Sequence, residues 1–254
     1  DHFDKQTELE SVLRKRGKSD ELELLESDLP SAGQTSFTRQ QEPLGLGHAV
    51  WCARNMIGDE PFALLLPDMV MQSEPGCLKQ MMDVYAETGG GNIIAVETVP
   101  WAEVSRYGVV DFSKTDGLAL AINGMIEKPV RDKAPSNHII SGRYILQPEI
   151  FAKIESAKPG AGGEIQLTDA MIALMEEQPF WGCKFEGVTF DCGDKLGFLM
   201  ANVAHGLLRD DIGPAFRLGL EKLLQRSLTV DPLPVGNVNE CAGLPVTRKQ
   251  PAAA

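Results

Sequence analysis

A chain of 254 residues with 43% hydrophobic residues is long enough to bury the core of one sizeable α/β domain or of two small ones. The formal net charge of -12 argues against a nucleic-acid-binding protein, because phosphate backbones are held by clustered Lys and Arg. No apolar run approaches the roughly 20 residues that a membrane span needs, and no signal-peptide pattern opens the sequence. We therefore expect a cytoplasmic protein without a membrane partner.

The cysteines and histidines are not spaced for a disulfide framework or a zinc site. The cysteines are odd in number, stand far apart and include no C-x-x-C pair, and the four histidines form no metal-spaced group. We predict reduced, mostly buried thiols at all five cysteines, which are Cys52, Cys77, Cys183, Cys192 and Cys241.

The first third of the chain combines helix and strand signals. Apolar residues between Leu9 and Leu25 recur at the spacing of two surface helices, and Thr35–Gln40 is a short strand candidate. The stretch "LGLGHAV" predicts a Gly-rich turn that opens a helix ending near Gly58. The apolar run Phe62–Leu66 then predicts a strand buried on both faces.

The rest of the chain continues this alternation. A Met-rich helix near Cys77–Glu87 and a buried strand in "NIIAVETV" precede three β-like segments, "RYGVVDF", "LALAINGMIEKP" and "HIISGRYIL". The stretch "GAGGEIQLTDAMIALMEEQ" predicts a glycine loop and a helix capped by Thr168 or Asp169. A strand, an acidic turn and a closing helix follow.

The alternation predicts an α/β fold, with a mostly parallel, doubly wound, Rossmann-like sheet, helices on both faces and a β-rich insertion. Ligands of such a sheet bind beyond the carboxyl ends of its strands. We predict one domain over residues 1–226 and a poorly ordered tail over residues 227–254, where Pro and Gly replace periodic apolar residues.

Two aspartates follow predicted strands and are candidate metal ligands. Asp68 ends the run "FALLLPD", and Asp191 ends "GVTFD" before a glycine turn. Two carboxylates at neighbouring strand ends can hold Mg2+, which usually takes one or two protein carboxylates together with substrate phosphates. Taken alone, Asp68 is equally compatible with a solvated acid in a turn. Asp194 is expected to cap the next helix.

The turn before the first central helix is a candidate nucleotide-binding loop. Gly45 and Gly47 would let backbone N–H groups approach a base or a phosphate, although a simple tight turn explains the glycines equally well. The Gln40 amide offers a donor and an acceptor and can read a pyrimidine edge. His48 is expected to be a satisfied histidine at the start of a helix.

The end of "MIEKP" is a candidate sugar-phosphate site. Glu127 suits sugar hydroxyls and Lys128 suits a phosphate, and the following proline indicates that the strand ends there. An exposed ion pair is the alternative interpretation. Gly108, in "YGVV", either leaves room for a sugar or makes a turn.

Seven segments of this chain, taken in their order along the sequence, resemble the motif series of bacterial UTP-glucose-1-phosphate uridylyltransferases, within the sugar-nucleotide pyrophosphorylase superfamily. These segments are "RQQEPLGLGHAV", "LLLPDM", "YGVVD", "EKP", "APSNHIISGRYIL", "GAGGEIQLTDA" and "DCGDKLGF". The resemblance runs from about His2 to Phe216. It implies the nucleotide-diphospho-sugar transferase type of fold, with residues 1–226 as the nucleotidyltransferase domain.

The resemblance implies a role for each matching residue. Gln40 and Gly45, with Gly47 in the same loop, would bind the uracil nucleotide, and Asp68 and Asp191 would hold Mg2+ as catalytic groups.

The sugar side of the site is implied in the same way. Gly108 and Glu127 would line the glucose hydroxyls, and Lys128 would meet the 1-phosphate as a catalytic cation. Ile140 and Gly142 would close the sugar pocket. Glu164 and Asp169 are expected to be mainly structural.

The implied reaction is an in-line displacement in which glucose 1-phosphate attacks UTP, giving UDP-glucose and pyrophosphate. Two alternatives stay open from the sequence. One is a thymidylyltransferase of the same superfamily, because uracil and thymine share a pairing edge. The other is a non-catalytic sugar-nucleotide-binding fragment or subunit. The family resemblance also implies a homo-oligomer.

The chain departs from the family pattern in one respect. The family has a strand, a G-x-G-T-R loop and a P-K element that cradle the triphosphate, and none of them occurs in this sequence. We interpret the sequence as N-terminally truncated and expect the 254-residue polypeptide alone to be nearly inactive.

Overall fold

The computed structural model describes residues 3–27, 29–114 and 119–229. In those residues the helices are α1 (Thr7–Lys15), α2 (Ser19–Ser27), α3 (Leu46–Trp51), α4 (Arg54–Ile57), α5 (Cys77–Glu87), α6 (Ile150–Ser156), α7 (Leu167–Met175), α8 (Lys195–Leu208) and α9 (Gly213–Thr229). The strands are β1 (Phe62–Leu65), β2 (Met69–Gln72), β3 (Asn92–Thr98), β4 (Gly108–Lys114), β5 (Ala119–Glu127), β6 (His138–Leu146), β7 (Phe180–Lys184) and β8 (Val188–Asp191). No helix of this part of the chain is long and apolar enough to cross a membrane.

The main sheet has six strands in the order β1-β6-β3-β7-β5-β4, and β4 also pairs with β6. The predicted α/β class is confirmed, but the described strands of this sheet pair mostly antiparallel, with β3–β7 as the parallel pair. The prediction of a mostly parallel sheet does not hold for them, because β6 lies between β1 and β3 and runs antiparallel to both. The β4–β5 hairpin adds another antiparallel pair.

Strand β3 contributes buried side chains to the hydrophobic core on both faces of the sheet. Ile94 and Val96 belong to the cluster that includes Met171 of α7, whereas Ile93 lies in a second cluster with Met81 of α5. Successive side chains of a strand point to opposite faces, so the alternation along β3 places helices on both sides of the sheet. The predicted helices on both faces and the predicted buried strand are therefore confirmed.

Strand β1 is not the strand buried on both faces that its apolar run predicts. Its burial alternates from residue to residue, and Leu65 is 47% exposed. The reason is its position at the end of the strand order, where β6 is its partner. After Pro67 the chain continues into β2, which forms a separate two-stranded sheet with β8.

Three further local predictions differ from the structure. Residues 35–40 are exposed and form no strand, because no neighbouring strand pairs with them in the described part of the chain. Helix α9 was not predicted, and it continues to Thr229, three residues into the predicted tail. Residues 230–254 of that tail lie outside the described residues.

Helix α7 begins at Leu167 without a side-chain cap, so neither Thr168 nor Asp169 caps it.

The chain divides into two compact units. Unit 1 comprises Asp1–Pro67 and Met71–Thr189, and unit 2 comprises Asp68–Val70 and Phe190–Ala254. The candidate nucleotide and sugar residues belong to unit 1, whereas Asp68 and Asp191 both belong to unit 2.

The prediction of mostly buried thiols holds for two of the four cysteines that the structure describes. Cys77 and Cys183 are buried, and Cys52 and Cys192 are partly exposed. Burial raises the pKa of Cys77 to about 11, although Arg143 opposes the rise, and burial raises the pKa of Cys183 to about 12.

Thiol alkylation should separate these two classes. At about pH 8 the thiolate fraction of Cys77 and Cys183 is very small, so iodoacetamide should label them only after unfolding. Cys52 and Cys192 should be labelled in the folded protein. Peptide mapping by mass spectrometry would measure both classes, and equal labelling of all four in the folded state would contradict the burial.

Candidate active site

The loop before α3 is held against the segment that precedes α7. Ile165 N donates to Leu44 O at 2.7 Å, and Gly47 N donates to Ile165 O at 2.9 Å. A Cβ on Gly47 would lie 2.7 Å from Ile165 O, and one on Gly45 would lie 2.8 Å from Glu164 Cβ. Gly45 also has a φ of +92°, which a side chain rarely adopts. Both glycines of the predicted nucleotide loop are therefore required by this close packing.

Gln40 lies directly beside this loop. Its Nε2 donates to Gly45 O at 2.9 Å and is 3.0 Å from His48 Nδ1. His48 Nε2 in turn lies 3.9 Å from Cys52 Sγ. The structure thus brings three sequence-predicted residues together, Gln40, Gly45 and His48.

The residues predicted to line a sugar pocket also converge. A Cβ on Gly108 would lie 3.0 Å from Ile140 Cδ1 and 3.1 Å from Glu127 Oε2, so Gly108 leaves space that these two side chains border. Glu127 Oε2 accepts a hydrogen bond of 2.7 Å from Thr168 Oγ1, which fixes one carboxylate oxygen. Glu127 Oε1 is 3.9 Å from Lys128 Nζ.

Lys128 has an unusual backbone. Its φ is +44°, a value that costs a non-glycine residue of order 1 kcal/mol, and its N–H donates to Tyr107 O at 3.1 Å. Its side chain is 63% exposed. The strain places the ammonium and the Glu127 carboxylate on the same side, although adjacent residues of a regular strand point to opposite faces.

Gly142 contacts the end of β1 rather than the Glu127 cluster. Its carbonyl accepts from Leu66 N at 3.0 Å, and Arg143 Nη1 donates to Leu66 O at 2.6 Å. Beside it, the buried Ser141 donates to Glu97 Oε1 at 2.7 Å. Strand β6, which also carries Ile140, is therefore bonded to the chain just before Pro67.

Two residues of this site were missed from the sequence. Thr168 looked like a helix cap, and no local signal identifies the partner that it binds 41 residues away. Tyr144 is buried, and its burial, with a smaller contribution from the negative charge of Glu127, raises the pKa of the phenol well above its ordinary value. The phenol therefore stays neutral.

The two aspartates predicted as metal ligands meet at Gly193. A Cβ on Gly193 would lie 3.1 Å from Asp191 Oδ1 and 3.4 Å from Asp68 Oδ2, so both carboxylates border one small space. Gly193 N donates to Asp191 Oδ1 at 3.0 Å, and Cys192 N donates to Asp68 O at 2.7 Å. The first bond orients the Asp191 carboxylate, and the second fixes the spacing of the two segments that carry the acids.

The donor set fits a hard divalent cation. Carboxylate oxygens are preferred by such cations, and one or two protein carboxylates suffice when water and phosphate oxygens supply the remaining ligands. Within the described residues no group of three or more His, Cys, Asp or Glu side chains could hold a metal ion. A cation at Asp68 and Asp191 would therefore draw its other ligands from substrate or solvent.

Helix α8 begins directly behind this acidic pair. The Asp194 carboxylate accepts from Leu196 N at 2.9 Å and from Gly197 N at 3.5 Å, which confirms the predicted cap. A Cβ on Gly197 would lie 2.0 Å from Asp191 O. Only glycine lets the first turn of α8 approach the Asp191 backbone this closely.

The chain belongs to the nucleotidyl transferase family, whose model matches residues 6–205. It is 45% identical over 218 residues to a UTP-glucose-1-phosphate uridylyltransferase of Bacillus subtilis (strain 168), covering 84% of this chain and 74% of that relative. The similarity that the motif series predicted is thus confirmed, and the chain is by family a transferase enzyme.

Two solved structures have the same fold. A UTP-bound UDP-glucose pyrophosphorylase from Acinetobacter baumannii is 34% identical with a TM-score of 0.77, covering 87% of this chain and 77% of that one. A UDP-glucose pyrophosphorylase complexed with UDP-glucose is 34% identical with a TM-score of 0.70, covering 82% of this chain and 76% of that one.

Substitution of Gly197 by alanine should destabilise unit 2. The new methyl group cannot occupy a position 2.0 Å from Asp191 O, so α8 or the Asp191 backbone must move, and we expect a loss of about 1–3 kcal/mol in the free energy of unfolding. Denaturant unfolding measures it.

Gly219→Ala is the matched control, because it is the same change in a helix with no atom within 4 Å of the new Cβ. It should leave stability unchanged or raise it by up to about 1 kcal/mol, as helix propensity predicts. Equal effects of the two substitutions would contradict the close approach at Asp191.

Proposed function

We propose that this protein is a UTP-glucose-1-phosphate uridylyltransferase, which makes UDP-glucose and pyrophosphate from UTP and glucose 1-phosphate. The observation that carries the proposal is its similarity to enzymes of that name along most of its length. The three residue groups described above supply part of what the reaction needs. They are a base-reading amide, a sugar-side carboxylate with a neighbouring ammonium, and a pair of metal-type carboxylates.

In this proposal each group has one partner in the substrates. Gln40, with Gly45 and Gly47, binds the uracil nucleotide. Asp68 and Asp191 would hold Mg2+, which would neutralise phosphate charge when bound.

Five residues bind the glucose 1-phosphate in this proposal. Glu127 accepts hydrogen bonds from glucose hydroxyls, Gly108 and Ile140 shape the sugar pocket, and Gly142 contributes through the backbone of β6, the strand that carries Ile140. Lys128 donates to the phosphate of the sugar, because an ammonium is a compact donor for phosphate oxygens. The hydrogen bond from Thr168 supports the role of Glu127, since it fixes the carboxylate whose Oε2 borders the space at Gly108.

The reaction needs no general base on the protein. A phosphate oxygen of glucose 1-phosphate forms a bond to the α-phosphorus of UTP, while the bond from that phosphorus to the oxygen between the α- and β-phosphates breaks, and that oxygen leaves with pyrophosphate. The attacking phosphate is already an anion, so no proton has to be removed. The protein's contribution is positioning and charge stabilisation, to which the Lys128 cation is assigned here.

Three broader predictions complete the proposal. The nucleotidyltransferase domain covers residues 1–226 of the printed sequence. The protein acts in the cytoplasm, and it assembles as a homo-oligomer. Gel filtration with light scattering would test the oligomer, and an elution as a monomer would contradict it.

A transferase assay on the protein, expressed from its complete reading frame, tests the function directly. With Mg2+ and glucose 1-phosphate, UTP should release pyrophosphate at a rate at least about tenfold above dTTP at equal concentration. Equal or faster release from dTTP would favour a thymidylyltransferase. Calorimetric binding of UDP-glucose without any pyrophosphate release would favour a non-catalytic binding protein.

Loss of either candidate metal ligand should abolish turnover. Asp68→Asn and Asp191→Asn each remove one negative oxygen donor, and we expect kcat to fall by about a hundredfold or more, with a higher Mg2+ requirement.

The matched control for these variants is Asp194→Asn. It removes a carboxylate from the same loop, yet asparagine caps a helix as well as aspartate does. Its kcat should stay within about threefold of the wild type. Steady-state rates over a Mg2+ titration measure all three variants, and an equal loss in Asp191→Asn and Asp194→Asn would refute the metal assignment.

Removal of the Thr168 hydroxyl should weaken sugar binding. Thr168→Val keeps the side-chain shape but leaves Glu127 Oε2 without its donor, so we expect the KM for glucose 1-phosphate to rise about tenfold while the KM for UTP changes little. Thr168→Ser keeps the hydroxyl and should behave like the wild type. A rise in both KM values, or none, would argue against this role of Glu127.

A further inference from the structure

The Gln40 amide has its orientation fixed by its neighbours. Its nitrogen end is 2.9 Å from Gly45 O, and a carbonyl oxygen can only accept a hydrogen bond. The end of the amide that faces Gly45 must therefore be the NH2 group. This assignment follows from chemistry, even though the oxygen and nitrogen of an amide have nearly the same shape.

His48 occupies the second hydrogen of the same NH2 group. His48 Nδ1 is 3.0 Å from Gln40 Nε2, so the ring nitrogen must be the acceptor. In this arrangement the other ring nitrogen, Nε2, faces Cys52 Sγ at 3.9 Å. The ring also stacks on Trp51, with centroids 5.9 Å apart and planes at 19°, which limits its rotation.

The remaining polar atom of the Gln40 side chain is the amide oxygen. Gln40 is exposed, and in the part of the chain that the structure describes no donor is bonded to Oε1. An exposed glutamine side chain normally rotates freely, and holding it in one conformation costs about 1.5–2 kcal/mol of side-chain entropy. The two hydrogen bonds of Gln40 oppose this rotation. Gln40 therefore presents an acceptor to the solvent side of the loop.

A fixed acceptor that lies opposite N3 of the base discriminates between pyrimidines, because cytosine has a donor at its exocyclic N4 but none at N3. The N3 position of uracil and thymine carries a hydrogen and can donate to Oε1, whereas N3 of cytosine is itself an acceptor. To donate to cytosine, the amide would have to rotate by half a turn, which would place its oxygen against Gly45 O and His48 Nδ1. Rotation would thus lose both hydrogen bonds and create two repulsive contacts.

We propose that His48 is a positioning residue, which locks the Gln40 amide with its oxygen toward the base and thereby selects a pyrimidine nucleotide with an N3–H over a cytosine nucleotide. This inference rests on the proposed function, because it takes Gln40 to be the residue that contacts the base. It gives the helix-start histidine a role in substrate specificity without contact with the substrate.

The test compares His48→Leu and His48→Asn in the protein expressed from its complete reading frame. Leucine removes the acceptor, so the ratio of kcat/KM for UTP to that for CTP should fall about tenfold, through a higher KM for UTP with kcat nearly unchanged. Asparagine can place its Oδ1 close to the position of Nδ1 and should restore most of the ratio. An unchanged ratio in His48→Leu would overturn the proposal, as would a loss of kcat alone.

Nuclear magnetic resonance provides a readout that does not depend on turnover. The side-chain NH2 signals of Gln40 can be assigned by their loss in Gln40→Glu, and both protons should exchange slowly with water in the wild type. In His48→Leu one of the two should become unprotected, while the one bonded to Gly45 O stays protected. Two unprotected protons in the wild type would overturn the proposed lock.

These measurements separate the inference from the proposed enzyme. A wild-type protein that binds UTP by calorimetry without releasing pyrophosphate would refute the enzyme, and the ratio of UTP to CTP affinity in His48→Leu would still decide the role of His48. A wild-type protein that binds UTP and CTP equally, with normal turnover of both, would refute the inference alone.

Discussion

The backbone pairing between the loop before α3 and Ile165 is the constraint on which the candidate site in unit 1 depends. Leu44 O and Gly47 N bond to the two sides of the same residue, at 2.7 Å and 2.9 Å. Three residues further on, Thr168 holds Glu127 at 2.7 Å. One short segment therefore positions both the nucleotide-side loop and the sugar-side carboxylate, so a shift of that segment would move both. This explains why "GGEIQLTDA" belongs to the motif series although most of its side chains have no chemical role here.

Local structure was predictable from the sequence, but the pairing of distant strands was not. The apolar pattern gave α5 and β3 with nearly their observed bounds, because a helix and a buried strand need only local periodicity. The sheet direction depends on β6, which lies between β1 and β3, and nothing in the residues of β6 states which strands will be its neighbours. The same limit applies to β1, whose apolar run did not reveal that it lies at the end of the strand order.

The candidate site was predictable where one residue type has few uses. Asp68 and Asp191 each follow a strand, and two acids at strand ends have few structural explanations, so their meeting at Gly193 could be foreseen. Thr168 and His48 have common structural uses at the start of a helix, and these uses conceal their bonds to Glu127 and Gln40. Only the three-dimensional contact distinguishes a capping threonine from one that orients a carboxylate.

The two groups of candidate residues depend on different interactions, directional hydrogen bonds in unit 1 and charge in unit 2. Gln40 is oriented by hydrogen bonds that it donates to Gly45 O and His48, and Glu127 by one that it accepts from Thr168. Such bonds are directional, so they suit recognition of a base edge or a ring hydroxyl. The Asp68 and Asp191 carboxylates are like charges that border one space, in a chain whose net charge is already -12, so bringing them together raises the energy unless a cation compensates. Gly193 keeps that space open, since a side chain there would enter it, and Gly197 preserves its border, since a side chain there would displace Asp191. Unit 2 therefore has a reason to keep glycine at both positions that is independent of turn geometry, namely the space between the two carboxylates and the placement of Asp191.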